Sequence, residues 1–366
     1  MRIPVALYPY CSELLPFVKH FEALQKQYSI KKLISPMGLN LYNKDAAYAR
    51  NHPDIGIIVS NESGMMDQKW EILLLNNNIN TKRNNALNLE SIMEKSLTFG
   101  KKVCYFDDNY DGITNKMLSL SNEFLGRVFF HVGGTFDLPL STDDTFVRIE
   151  TPLILVGGLL VEADVLDVLM CIAARLRSDG MRPLVLSRHK ICEIFDFHSY
   201  EYIFRDTSTI ESRKILELNK YLIKLIRAEM PDVILAEAPD AVMRFNSLDP
   251  NGFGIRTYMF CQAIEPDLLI CCIPYGLTID KLLNALSADL SLRIGSPIFA
   301  THVSNLIVDA NSMLESHKVS YAHDSLTKVN SILLRETQIS QIPLFNTIDD
   351  NAASLYNMLH KALYMK

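Results

Sequence analysis

Three features are missing from this chain, paired-cysteine spacing, long hydrophobic runs and a positive net charge, and each absence closes off a class of protein. The seven cysteines, Cys11, Cys104, Cys171, Cys192, Cys261, Cys271 and Cys272, are odd in number and contain no C-x-x-C spacing, so neither a disulfide framework nor a zinc knuckle is expected. Cys104, Cys171, Cys271 and Cys272 sit inside apolar runs, where a reduced thiol behaves as a small core residue. Cys271 and Cys272 are adjacent in an expected strand and point to opposite faces, so they cannot hold one metal together. Long hydrophobic runs are also missing: none approaches the roughly 18 residues of a membrane span, and Met1-Arg2 leads into a short apolar strand rather than a signal segment. A soluble, cytoplasmic protein is expected. A positive net charge is the third absence. The net charge of −6 argues against nucleic acid or an anionic membrane as partner.

Familiar catalytic spacings are absent too. His131, His189, His198 and His302 form no His-x-His or His-x-x-x-His pair, so no metal centre is expected. Ser35, Ser187 and Ser304 lack a G-x-S-x-G elbow, which disfavours nucleophilic hydrolysis. There is no short-period repeat and no low-complexity tract.

What is present is a run of alternating strands and helices. At 366 residues the chain exceeds the size at which one core stops growing, so two domains are expected. The clearest unit spans residues 151–187. Leu153 to Val156 is an apolar strand, Gly157-Gly158 reads as the turn that stops it, and a helix begins at Asp164, its expected N-cap. Gly180 fits the C-cap, Pro183 forbids continuation, and a new strand starts beyond it. That is a right-handed β-α-β unit.

In the first 134 residues the same pattern recurs: strands at 3–8, 30–34, 54–60, 70–75, 102–106 and 127–131, with helices at 12–28, 87–99 and 114–124, the first capped by Ser12. An Asn-rich loop follows the fourth strand. Residues 135–150 turn polar and read as a linker. Further strands are expected at 183–187, 232–236, 267–273 and 297–301, with helices at 210–229 and 350–365. The expected fold is α/β throughout, two doubly wound and mainly parallel domains: a Rossmann or flavodoxin-like domain at 1–134, and a P-loop-NTPase-like domain with a degenerate phosphate loop at 151–366.

A glycine turn before a helix N-terminus is anion-binding geometry. A working nucleotide loop needs G-x-x-x-x-G-K-[ST], whose lysine reaches the outer phosphates and whose hydroxyl holds magnesium. Counted from Gly157, those last three positions are Glu162, Ala163 and Asp164; counted from Gly158 they are Ala163, Asp164 and Val165. Both registers lack lysine and hydroxyl, and two carboxylates stand where phosphate oxygens would lie. Three readings stay open: a loop that only caps its helix, a site adapted to another ligand, and NTP hydrolysis. No cofactor is called for, and ATP with magnesium is disfavoured.

Ligands of open parallel sheets bind beyond the carboxyl ends of the strands. That rule selects Tyr8, Tyr10, Ser12, Ser35, Lys44 and Asp45 in the first domain, and Gly157, Gly158, Glu162, His189, Glu237, Asn246, His302 and Asn305 in the second. Glu237 ends the strand DVILAE, where a carboxylate would hold magnesium through water, or simply make a structural hydrogen bond. Lys44-Asp45 reads as a solvated salt bridge or helix cap, or as contact with an acidic ligand. Asn246, Asp249 and Asn251, with Gly252 and Gly254, form a polar loop that is either a lid or only turns.

The stretches YPYCSELLPF, LISPMGL, NKDAAYA and DIGIIVS, then the glycine turn, FHSYEYIF, DVILAEAP and AIEPDLLI, carry a resemblance over essentially the whole chain. It resembles the peptide maturation system protein family, found beside radical SAM enzymes that modify small Cys-rich ribosomal peptides. The resemblance implies a bacteriocin-like natural-product operon, with the precursor peptide, the radical SAM maturase or both as partners, and it supplies no catalytic residues. Two roles follow as expectations. One is an accessory protein binding peptide or maturase at a cleft between the two domains. The other is a peptide-modifying enzyme, ATP-dependent or otherwise.

Overall fold

The computed structural model describes residues 2–65, 69–77, 88–108, 110–133, 145–205, 210–246, 253–277, 280–309, 311, 314–315, 319–348 and 352–364. The Asn-rich stretch beyond residue 77, linker positions 135–144, and Asp249, Asn251 and Gly252 lie outside them. The chain forms two compact units. One comprises Met1–Ala49, Pro53–Ser141 and His189–Tyr202; the other comprises Arg50–His52, Thr142–Arg188 and Ile203–Lys366.

The first unit is built on β1 (Ile3–Tyr8), β2 (Tyr28–Ile34), β3 (Val59–Ser60), β4 (Ile72–Asn76), β5 (Lys102–Asp107) and β6 (Val128–Val132). They lie in the order β3-β2-β1-β4-β5-β6, and every pair is parallel. That is the Rossmann order rather than the flavodoxin order. Central strands of such sheets are covered on both faces and read as continuous apolar runs, as the fully buried ILLLN of β4 does. Helices α1 (Leu15–Leu24), α2 (Leu89–Thr98) and α3 (Asn115–Glu123) are the crossovers. On one face, Ala6, Tyr8, Leu73, Leu75, Val103 and Tyr105 pack with Ile92, Met93 and Leu97 of α2 and Met117 and Leu120 of α3.

Two expectations need correction here. The strand expected over 54–60 shrinks to Val59–Ser60, because Gly56 takes φ +78° and Ile58 is more than half exposed, so the segment cannot stay extended against the sheet. The first helix begins at Leu15 after a 3-10 turn at Ser12–Leu14, with Leu14 at the N-cap, so Ser12 does not cap it. The unit also includes a later piece of chain, where the 3-10 helix Lys190–Phe195 leads to β9 (His198–Ser199). Phe195 brings it there, its ring 5.0 Å from Phe17 and 5.4 Å from Phe21 of α1.

The second unit contains β7 (Leu153–Gly158), β8 (Pro183–Ser187), β10 (Val233–Glu237), β11 (Leu268–Pro274), β12 (Ile298–Ser304), the hairpin strands β13 (Leu306–Val308) and β14 (Tyr321–His323), and β15 (Leu344–Phe345). Its parallel strands run in the order β15-β12-β11-β7-β10-β8; the hairpin is antiparallel. Between β7 and β8 lies α4 (Val165–Ser178), almost wholly buried along its first three turns. It ends as its sequence requires: Gly180 takes φ +80°, and Met181 N–H returns to the Leu176 carbonyl at 3.0 Å, a Schellman closure. From the linker end, Val147 is tied in by Asn219, which exchanges hydrogen bonds of 3.1 and 2.9 Å with its backbone.

The expected glycine turn is not a turn. Gly157 and Gly158 are the last two residues of β7 and are fully buried. Their lack of a side chain serves close packing: a Cβ on Gly157 would lie 2.5 Å from Val242 Cγ1 and 3.1 Å from Ala238 Cβ, and one on Gly158 would lie 2.5 Å from the Leu160 carbonyl. The loop after β10 folds over the end of β7, Val242 N–H donating to the Gly158 carbonyl at 2.9 Å.

Candidate functional site, a buried ion-pair network in the second unit

The pairing registers align Gly158 with Cys272, Cys272 with His302 and His302 with Phe345. This row crosses the sheet near its carboxyl edge, where ligands of such folds bind. Just beyond it Asp164 occupies the N-cap position of α4 as the sequence suggests, but it does not cap. It sits in the left-handed region at φ +62° and its side chain makes no cap hydrogen bond. Instead Oδ1 accepts from Arg50 Nη1 at 3.0 Å and Oδ2 accepts from His302 Nε2 at 3.3 Å. The Asp164 and His302 side chains are wholly buried and that of Arg50 is 7% exposed.

The other ring nitrogen fixes the tautomer of His302. Thr347 N–H lies 3.3 Å from Nδ1, and because a backbone amide can only donate, Nδ1 accepts and the proton sits on Nε2, aimed at Asp164. With both nitrogens engaged, this imidazole has none left for a substrate. Its Nε2–H helps to hold the Asp164 carboxylate in place. Thr347 extends the network through its hydroxyl, 3.1 Å from Asp167 Oδ2. Burial raises the Asp164 carboxyl, but the hydrogen bond from His302 and the charge of Arg50 outweigh it and hold the group well below the usual carboxylate range. Near it, burial pushes the Cys272 thiol up, and Cys271, Asp164 and Asp167 push it further, so this cysteine is a protonated core residue rather than a nucleophile.

Asn305 closes the far side. Its Nδ2 donates to the Arg50 carbonyl at 2.8 Å and the Asp324 carbonyl at 2.9 Å, and its Oδ1 lies 3.2 Å from His323 Nδ1. Burial, with the charge of Arg50, lowers the His323 pKa to about 4. Asp324 in turn accepts from Tyr275 Oη at 2.8 Å and Lys328 Nζ at 2.9 Å. Of the residues singled out from sequence, His302 and Asn305 belong to this network. Arg50, Asp167, His323 and Thr347 were missed. Arg50 has no sequence signal at all, since it stands among residues of the other unit.

Elsewhere in the second unit, Glu237 is fully buried and committed to structure. Its carboxylate accepts from Ser187 Oγ at 2.7 Å and from Arg188 N and Nε at 3.2 and 2.9 Å, which ties the ends of β8 and β10 together. The Glu162 carbonyl accepts from Asp164 N–H at 2.8 Å. Asn246 is half-buried in the loop after β10, where Asp240 binds the first N–H groups of helix Ile255–Ala263.

The other selected residues lie in the first unit. Tyr8 Oη donates to Glu62 at 2.6 Å and Tyr10 Oη to the Ala46 carbonyl at 2.7 Å. Ser12 lies in the 3-10 turn before α1, and Ser35 N–H donates to the Ser60 carbonyl at 2.9 Å. His189 stands at the start of the 3-10 helix Lys190–Phe195. Lys44 and Asp45 do not form the expected pair. Lys44 Nζ lies 4.0 Å from the centre of the Tyr48 ring, while Asp45 gathers the N–H groups of Ala47, Ile55 and Gly56 at 2.9, 3.2 and 2.8 Å. Among the described residues, no group of three or more His, Cys, Asp or Glu side chains could hold a metal ion, and no helix is long and apolar enough to cross a membrane.

Fold and network together define a two-unit parallel α/β protein whose second unit carries a buried Arg-Asp-His network at its carboxyl edge. No protein-family model and no curated protein matches the chain. Among solved structures it is similar to the crystal structure of a DUF1611 family protein from Anabaena variabilis, with a TM-score of 0.63 at 10% identity, over 98% of this chain and 100% of that one. That likeness shows the fold over both units. A similarity to the signal recognition particle 54 kDa protein of Aeropyrum pernix in complex with GDP has a TM-score of 0.30 at 11% identity, over 75% of this chain and 62% of that one, and carries no argument.

Proposed function

We propose that this protein binds a partner and does not hydrolyse a nucleotide, and that the partner is the precursor peptide of a ribosomally made, post-translationally modified peptide or the radical SAM enzyme that matures it. The observation that carries the first half is the filling of the phosphate position. Gly157 and Gly158 lie within the strand, Ala238 and Val242 cover Gly157, and the residue at the hydroxyl position counted from Gly157 is Asp164, whose buried carboxylate is already held by Arg50 and His302. A phosphate brought there would find the nearby cation, Arg50, already committed to Asp164, and no lysine to contact its oxygens. The peptide half is what the resemblance of the sequence implies.

Titration calorimetry with ATP and magnesium is expected to show no binding at micromolar affinity, and a clear isotherm would overturn the first half. Pull-down with the leader of the neighbouring precursor peptide, and separately with the maturase, tests the second half. Failure of both to associate would remove it.

A further inference from the structure

We infer that the outer edge of β6 in the first unit, with which no strand among the described residues pairs, is a docking strand for an extended, acidic peptide segment, an inference that rests on the peptide-binding reading and names its surface. The hydrogen bonds fix which way β6 faces. Val103 N–H donates to the Arg127 carbonyl and Gly133 N–H to the Asp107 carbonyl, so Arg127, Phe129, His131 and Gly133 turn their backbone groups toward β5. Val128, Phe130 and Val132 therefore turn their N–H and C=O groups outward, and among the described residues no strand pairs with β6 on that side. Five residues, VFFHV, make this edge with no proline and no lysine or carboxylate, the devices that usually blunt an exposed edge.

Side chains say what would add to it. Val128, Phe130 and Val132 pack against the core of the unit, whereas Phe129 is 45% exposed. One register step before the Val103-Val128 pair stand Lys102 and Arg127, both exposed and, among the described residues, with no carboxylate in an ion pair. Two cations side by side on one sheet face repel. A carboxylate on an added strand would sit beside Arg127, and an apolar side chain two residues along would lie beside Phe129, since alternate residues share a face. An incoming strand thus gains backbone hydrogen bonds from the edge, and specificity from an acid spaced two residues from an apolar group.

The test uses the full chain and a displayed library of random decapeptides. In the free protein, the amides of Val128, Phe130 and Val132 should exchange with deuterium at least about 100-fold faster than those of Phe129 and His131, as open-edge groups do. Equal protection would overturn the inference. Selected peptides should carry an acid two positions from an apolar residue, Phe129→Lys should weaken them about tenfold, and Arg127→Glu should turn the preference toward basic peptides. Binders lacking the pattern, or unaffected by both substitutions, would also overturn it. The precursor leader is run in parallel. If the leader and the maturase both fail to associate while library peptides bind at β6, the peptide-maturation reading falls alone; if the leader binds regardless of both substitutions, the β6 inference falls alone.

Discussion

Arg50→Met tests the buried network directly. It keeps most of the side-chain volume but leaves the Asp164 carboxylate, wholly buried, with His302 Nε2–H at 3.3 Å as its remaining partner in the network. Two unit charges 3 Å apart attract by roughly 5 kcal/mol at an effective dielectric constant of about 20, and removing one partner of a buried pair typically costs about 3–5 kcal/mol because the other charge stays behind. A loss of about 3 kcal/mol is therefore expected for the second unit. Asp164→Asn is the matching change, since asparagine tolerates the left-handed backbone that Asp164 adopts. The double variant should lose far less than the sum of the two, with a coupling of about 2 kcal/mol.

Urea unfolding followed by far-UV circular dichroism reads the effect. Fluorescence reports the first unit separately, because Trp70 is the only tryptophan and lies in that unit. The folded-state pKa of Asp164 is depressed, so its contribution is fully present above the ordinary carboxylate pKa and is lost as the pH falls through the lower folded value. Arg50→Met should flatten that acid limb. A cost under about 1 kcal/mol, or strict additivity with Asp164→Asn, would refute the reasoning that this pair is a coupled, desolvated unit.

His323 gives a second pH signature. Its pKa falls from 6.5 to about 4 on folding, so the unfolded chain binds the extra proton, and stability should drop by up to about 3 kcal/mol as the pH is lowered from about 6.5 to about 4, then stop responding to this group. His323→Gln should abolish that slope in a series of urea midpoints. Gly157→Ala should destabilise by about 1–3 kcal/mol through overpacking against Val242, and Gly157→Ala combined with Val242→Ala should recover most of it, as read by thermal unfolding. Asp45→Ala frees three backbone N–H groups at once and should cost about 1–2 kcal/mol, with faster amide exchange at Ala47, Ile55 and Gly56 as the local readout.

The sequence by itself determined the elements: apolar runs of strand length, helices closed by Gly180 and stopped by Pro183, and hence a parallel α/β architecture, because these signals are local and repeat along the chain. It also put His302 and Asn305 near the carboxyl end of a strand, although β12 runs to Ser304 and so includes His302 rather than stopping before it. Strand order, and with it the Rossmann arrangement of the first unit, came only with the tertiary structure, because periodicity is the same whichever neighbours a strand takes. The same limit explains the misread glycines. A Gly-Gly pair signals a turn or a close approach equally well, and only Val242 and Ala238, more than 80 residues downstream, decide for close approach. Asp164 looked like a cap because its spacing before α4 is right. Its real partners, Arg50 and His302, lie 114 and 138 residues away, and no local pattern can specify an ion pair that forms only once distant segments have been folded together and water has been excluded from between them.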